Sequence, residues 1–323
     1  MNVYRRLTLA SFMFFMSSPH VPHVAAAGGD VVQAPGPLVT TAWLASRAGD
    51  ANVVVISSDE PDRFAAGHIP GARVVPHDRT LGGNHRLLPA ADLARVLAET
   101  GASDTTRIVL YGDQPMATGW LFMAFATLGH ADRVSMLDGN LALWRSEGRA
   151  VATGAAPPAT RGKLTPRPAP DVQVDAAWLR DRLEKPGVRV LDVRTTREWD
   201  SGRLPGATFI LWQDLFASAE TRRFKTPEEI RALFSKTGVK TGDQVVTYCA
   251  VGMRASLMYF AATRIAGLPG RVYVGSMRDW EQQSGYPVIK GSHLDLWSGQ
   301  GSYLNLWKTR GTLRADVPRV FHN

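Results

Sequence analysis

Twice along the chain, short apolar runs suited to strands alternate with stretches of helical spacing. Val53–Ile56 and Val188–Val193 are β-branched runs of the kind that form buried parallel strands. Ala90–Glu99 and Pro227–Lys236 carry amphipathic helical periodicity; Thr226 supplies the second with an N-cap and Pro227 occupies its first helical position. Further strands are predicted at Ile108–Tyr111 and Gln244–Tyr248, helices at Trp120–Leu128 and Ala255–Ala266, and third strands at Val134–Leu137 and Arg271–Val274. Strands alternating with helices in this way predict an α/β fold whose sheets are mainly parallel and flanked by helices.

The two series are copies of one another. Phe64 matches Trp199, Gly67 matches Gly202, and Pro70-Gly71-Ala72 matches Pro205-Gly206-Ala207, all at an offset of 135 that Trp43 and Trp178 share. Ile108–Tyr111 and Val245–Tyr248 pair at 137, and Trp144 and Trp280 at 136. An offset this constant over so long a stretch signifies a duplicated domain, with copies expected at 36–150 and 171–290. The intervening 151–170 is rich in Ala, Pro, Gly and Thr, and is expected to be an extended linker without packing of its own. A tail over 291–323 places Trp297, Tyr303 and Trp307 among glycines and is expected to lie across both copies.

The N-terminus departs from this pattern. Arg5 and Arg6 precede the apolar run Leu7–Met16, and Ala25-Ala26-Ala27 stands before Gly28. That order is the signature of a secretory signal peptide over 1–27, with an uncleaved membrane anchor as the other reading. The apolar run falls short of the roughly 20 residues that span a bilayer, and no later run reaches that length. A periplasmic or secreted protein without stable membrane insertion after cleavage is therefore expected. Arg5-Arg6 by itself is only a weak twin-arginine signal. The net charge of +8 comes from dispersed positives, with no basic run suited to nucleic acid, although it could draw in small anions. The histidines lack metal-ligand spacing, and Met116, Met123 and Met136 read as core, so no metal or other cofactor is expected.

Cys249 is the single cysteine, so no internal disulfide is available to it. It follows the strand ending at Tyr248 and precedes the helical stretch from Ala255, which places it where open α/β sheets bind ligands. Backbone N–H groups at a helix start form an anion cradle, and such a setting lowers a thiol's pKa. Arg254 adds a fixed positive charge, Gly252 permits a tight turn, Ala250 leaves room beside the sulfur, and Val251 and Met253 are expected to form apolar rims.

Asp192-Val193-Arg194, Gly202-Arg203-Leu204-Pro205-Gly206-Ala207 and Cys249-Ala250-Val251-Gly252-Met253-Arg254 resemble the motifs of rhodanese domains. The resemblance covers about residues 38–290 and is to the family's tandem form, which implies an inactive N-terminal and a catalytic C-terminal copy. Tyr111-Gly112-Asp113 indeed stands where the second copy has Tyr248-Cys249-Ala250. The resemblance implies a sulfurtransferase in which Cys249 carries a persulfide, Arg254 closes the catalytic loop, and the loop from Ala250 through Val251, Gly252 and Met253 to Ala255 cradles the outer sulfur. Arg194 would hold the donor's anionic end. The donor would be thiosulfate or a similar small anion, the acceptor cyanide or a thiol. A 3-mercaptopyruvate sulfurtransferase and a carrier or redox-sensing module without turnover are the alternatives. Related phosphatases have one more residue between cysteine and arginine, which argues against that chemistry here.

Overall fold

The computed structural model describes residues 36–291, apart from 157, 168 and 170. Residues 1–27, read above as a signal peptide, and the tail beyond residue 291 lie outside the described residues. The first copy comprises β1 (Leu38–Val39), α1 (Thr41–Ala45), β2 (Val53–Ser57), α2 (Pro61–Ala66), β3 (Arg73–Val74), α3 (Ala90–Ala98), β4 (Arg107–Tyr111), α4 (Pro115–Thr127), β5 (Val134–Leu137) and α5 (Leu141–Ser146). The second repeats it with β6 (Gln173–Val174), α6 (Ala176–Arg180), β7 (Val188–Asp192), α7 (Thr196–Ser201), β8 (Thr208–Phe209), α8 (Pro227–Lys236), β9 (Gln244–Tyr248), α9 (Met253–Phe260), β10 (Gly270–Tyr273) and α10 (Ser276–Trp280).

Each copy holds a five-stranded sheet, in the orders β1-β5-β4-β2-β3 and β6-β10-β9-β7-β8, and every pairing is parallel. From β7 the chain goes on to the β8 edge, whereas from β9 it goes to β10 on the other side. The crevice between the C-terminal ends of β7 and β9 is thus the point where the connections diverge, the ligand-binding position of such sheets.

The sequence places α4 five residues too late. Pro115 at the first turn has no N–H to lose and starts the helix directly after the Gly112–Gln114 turn. Helix α9 ends at Phe260, and a single π turn over Ala261–Ile265 completes the expected span. The 151–170 segment has no helix or ladder strand among its described residues, yet it is not loose. Gly162, Arg167 and Ala169 donate backbone hydrogen bonds to Ala98, Leu128 and Thr127. Thr165 N–H reaches Asp104 at 2.7 Å, and Leu164 is buried. Described prolines such as Pro158 and Pro166 cannot donate to a ladder but do not prevent packing, which corrects the expectation of an unpacked linker.

One core runs through both copies, and α4 and α9 cross at its centre. Helix α4 is apolar on every side, from Trp120 to Ala126, as a helix enclosed by two domains must be. Gly119 brings the two helices into backbone contact: a Cβ there would lie 2.5 Å from Leu257 Cα.

Candidate active site

Cys249 follows the last residue of the central strand β9 and is 1% exposed. Gly252 adopts φ +91° and turns its N–H onto Cys249 Sγ at 3.1 Å. No other residue fits there, because a side chain would be strained at this φ and its Cβ would stand 2.7 Å from the Val274 carbonyl oxygen. Helix α9 has no side-chain N-cap. The N–H groups of its first turn therefore remain available beside the sulfur, together with the positive end of the helix dipole.

Arg254 makes a bidentate ion pair with Glu198 on α7, at 2.7 Å for each bond. Glu198 also accepts from the Thr195 N–H at 3.0 Å and the Thr195 hydroxyl at 2.7 Å, completing the capping box of α7. The Arg254 hydrogen bond, ahead of opposing burial and the Thr195 bonds, holds the Glu198 carboxyl at about 2. Glu198 and the nearby Cys249 sulfur in turn fix the charge on Arg254. The guanidinium thus ties the cysteine loop to α7 as well as facing the sulfur.

Arg194 is buried where β7 ends. Its Nε and Nη2 engage both Asp192 oxygens at 2.6–3.1 Å, and Nη2 also donates to the Gly202 carbonyl. Asp192 further accepts the Tyr248 hydroxyl at 2.6 Å, while Leu204 N–H donates to that hydroxyl at 3.2 Å. Burial, with Asp192 beside it, pushes the Tyr248 phenol well above its ordinary value, so it remains a donor. Asp192, Arg194 and Tyr248 form a closed network beneath the site.

The loop opens into a cleft of about 420 Å³ lined by Arg194, Ala250, Val251, Met277, Arg278, Glu281 and Gln282. Of the residues expected at the site, Arg194, Ala250 and Val251 line this mouth, and Gly252 contacts the sulfur. Met253 departs from its expected place: it packs against the core instead of forming a rim. Ala255 is fully buried, and its carbonyl accepts the Thr247 hydroxyl at 2.9 Å. Arg203 lies over Trp199 at 4.6 Å and donates to the Gly291 carbonyl at 2.9 Å, so it is occupied away from the sulfur.

Two contributors were not read from the sequence. Ser276 accepts the Cys249 N–H at 3.0 Å, donates to the Tyr273 carbonyl at 2.9 Å and lies 4.0 Å from Sγ. It is fully buried at φ 54°, a conformation unfavourable for serine. Glu198 is the other, and the Thr195-x-x-Glu198 capping box was its available signal. For Ser276 the signal was fainter: Gly275-Ser276 matches Gly139-Asn140 across the repeat.

The first copy has no such site. Asp59 there accepts from the Asp113 N–H at 2.9 Å and the Ser57 hydroxyl at 2.8 Å, across the turn that replaces the cysteine loop. Phe216 and Phe224 of the second copy help line a cavity of only about 20 Å³ beside Tyr111, Gly112 and Pro115. Asp138 and Asn140 bind the same segment through Phe224 N and Glu220 O.

A family model for the rhodanese-like domain matches residues 40–147 and again 175–283. The chain belongs to the rhodanese family, in its tandem form. A "Probable 3-mercaptopyruvate sulfurtransferase" of Pseudomonas aeruginosa is 30% identical over 79% of this chain and 98% of its own length. The "Sulfur carrier protein TtuD" of Thermus thermophilus is also 30% identical, over 80% of this chain and 98% of its own. A "Thiosulfate sulfurtransferase" of Pseudomonas aeruginosa is 26% identical over 76% and 94% respectively.

Proposed function

We propose that the chain is a sulfurtransferase that moves sulfane sulfur from a small anionic donor, thiosulfate in the first instance, through a persulfide on Cys249. The Cys249 thiolate attacks the donor's outer sulfur. The donor's S–S bond breaks, its electron pair leaves with sulfite, and a Cys–S–S⁻ group remains. Cyanide or a thiolate then attacks the outer sulfur, forming thiocyanate or a new persulfide and returning the thiolate. This is covalent catalysis in two half-reactions. The single observation carrying this reading is the Gly252 N–H donated to Cys249 Sγ at the start of an uncapped helix. Negative charge on sulfur is stabilised there in either half-reaction.

Near-complete burial of the thiol favours donors with a slim terminal sulfur and shelters the persulfide from larger nucleophiles. That shelter also supports a second reading, a sulfur carrier that yields its sulfur only to a fitting partner, as the name of the Thermus relative suggests. An Ala-Val-Gly loop carries no cation of its own, so thiosulfate turnover is expected to be modest. The Arg5-to-Ala27 pattern supports a periplasmic or secreted location.

Intact-mass measurement after incubation with thiosulfate tests the reading. Wild type should gain one sulfur atom and lose it to cyanide, while Cys249→Ser should gain nothing. Loading by mercaptopyruvate alone would move the donor assignment, and a single burst without turnover would favour the carrier. No loading by either donor would defeat the reading.

A further inference from the structure

The donor on this reading is an anion, and yet the cations nearest the sulfur are already spoken for. Arg254 gives both ends of its guanidinium to Glu198, and Arg194 is held against both oxygens of Asp192. Each pair is close to neutral as seen by an arriving anion. Val251, Ala250 and Met277 add only apolar surface to the mouth.

Arg278 is the exception. It is exposed on α10, lines the same cleft, and among the described residues its guanidinium takes part in no hydrogen bond, ion pair or ring contact. Its base is fixed with respect to the catalytic loop: Arg278 N–H donates to the Ala250 carbonyl at 3.1 Å, and Met277 N–H to the Cys249 carbonyl at 3.0 Å. Together with the Ser276 hydroxyl on Cys249 N–H, three successive residues of α10 are bonded to the loop. A free cation is thus carried by a rigid mount at the rim of the sulfur site. Glu281, one helical turn on, lines the same cleft with the opposite charge.

We propose that Arg278 is the donor-binding and specificity-determining cation of this site: it receives the oxyanion end of the donor while the outer sulfur enters the loop, and Glu281 competes for it. The proposal rests on the sulfurtransferase reading. It accounts for how a loop devoid of cations, with both neighbouring arginines paired, would attract a dianion such as thiosulfate in preference to a monoanion.

The experiment is the second-order rate of persulfide formation, followed by quenched intact mass, with thiosulfate at low and high salt. Wild type, Arg278→Ala, Arg278→Lys and Glu281→Gln are compared. Among the described residues the exposed Arg278 side chain makes no hydrogen bond, ion pair or ring contact, and its backbone bond survives substitution, so the variants should fold normally. Arg278→Ala should load roughly three- to tenfold more slowly at low salt, the range for a partly screened charge-assisted contact. The deficit should close near 1 M salt, where the Debye length is about 3 Å. Arg278→Lys should recover most of the rate, and Glu281→Gln should exceed wild type. Equal loading by wild type and Arg278→Ala at low salt, or a deficit indifferent to salt, would overturn the assignment and leave the sulfurtransferase reading intact. Absence of loading in wild type itself would remove that reading, and the assignment with it.

Discussion

Around Cys249 the chemistry depends on residues brought from far along the chain. Arg254 lies five residues from the cysteine, but its partner Glu198 is 56 residues from Arg254. Glu198 does three things at once: it caps α7, fixes Arg254 and keeps the cysteine loop against the helix. Its carboxyl, ordinarily near 4.5, is held at about 2, chiefly by the Arg254 hydrogen bond. A depressed carboxyl contributes stability that is complete above its unfolded value and is lost as pH falls through its folded one. The window is therefore pH 4.5 down to 2. With the side chain 32% exposed, solvent screening reduces the contribution to about 1–2 kcal/mol. Glu198→Gln should be less stable than wild type at neutral pH by that amount, and the difference should shrink through this window. Denaturant unfolding at a series of pH values measures it; a gap that does not change with pH would show that the ion pair contributes nothing.

The elements themselves were largely legible. Strands at Gln244–Tyr248 and Val134–Leu137 and the helix Pro227–Lys236 stand where the apolar pattern puts them. Cys249 and Arg254 could be read because they share one short loop with Gly252. Ser276 could not, because it meets the cysteine only after α9 and β10 have crossed over, 27 residues on. Arg194 was legible as a residue at the site but not as one already paired, since periodicity says nothing of a side chain's partner. Nor does the sequence show which helical faces meet. Gly119, unremarked in the sequence, is where α4 touches α9. Replacing a helix-interior glycine with alanine should stabilise an isolated helix by about 1 kcal/mol. Here the new Cβ would stand 2.5 Å from Leu257 Cα, against backbone that cannot turn aside. Overpacking of about 1–3 kcal/mol or more opposes the gain and wins. Gly119→Ala should lower the melting temperature; a rise would mean that the helices part without cost.

At the scale of the whole molecule, each copy lends side chains to the other, and only the second has a cysteine at the end of its central strand. Phe216 and Phe224 of the second copy line a small cavity against Tyr111 and Gly112 of the first. In return the first copy supplies Trp120, fully buried, whose Nε1 donates to the Thr80 hydroxyl at 2.9 Å. A Cβ placed on Gly252 would meet Trp120 Cζ3 at 3.3 Å, so the indole is the wall behind the turn that presents its N–H to the sulfur. The first copy is on this geometry part of the cysteine site of the second. Trp120→Ala removes a buried side chain at a cost of about 3–5 kcal/mol and leaves a void directly behind Gly252. A loop free to relax into that void no longer holds its N–H on the sulfur, so persulfide loading should fall along with stability. Trp120→Phe keeps most of the wall and loses only the bond to Thr80, so it should unfold more easily than wild type but load at close to the wild-type rate. Melting curves and loading rates, taken below the transition of every variant, separate the two effects. If Trp120→Ala loads as fast as wild type while folded, the first copy serves only as a cover for apolar surface, and the site belongs to the second copy alone.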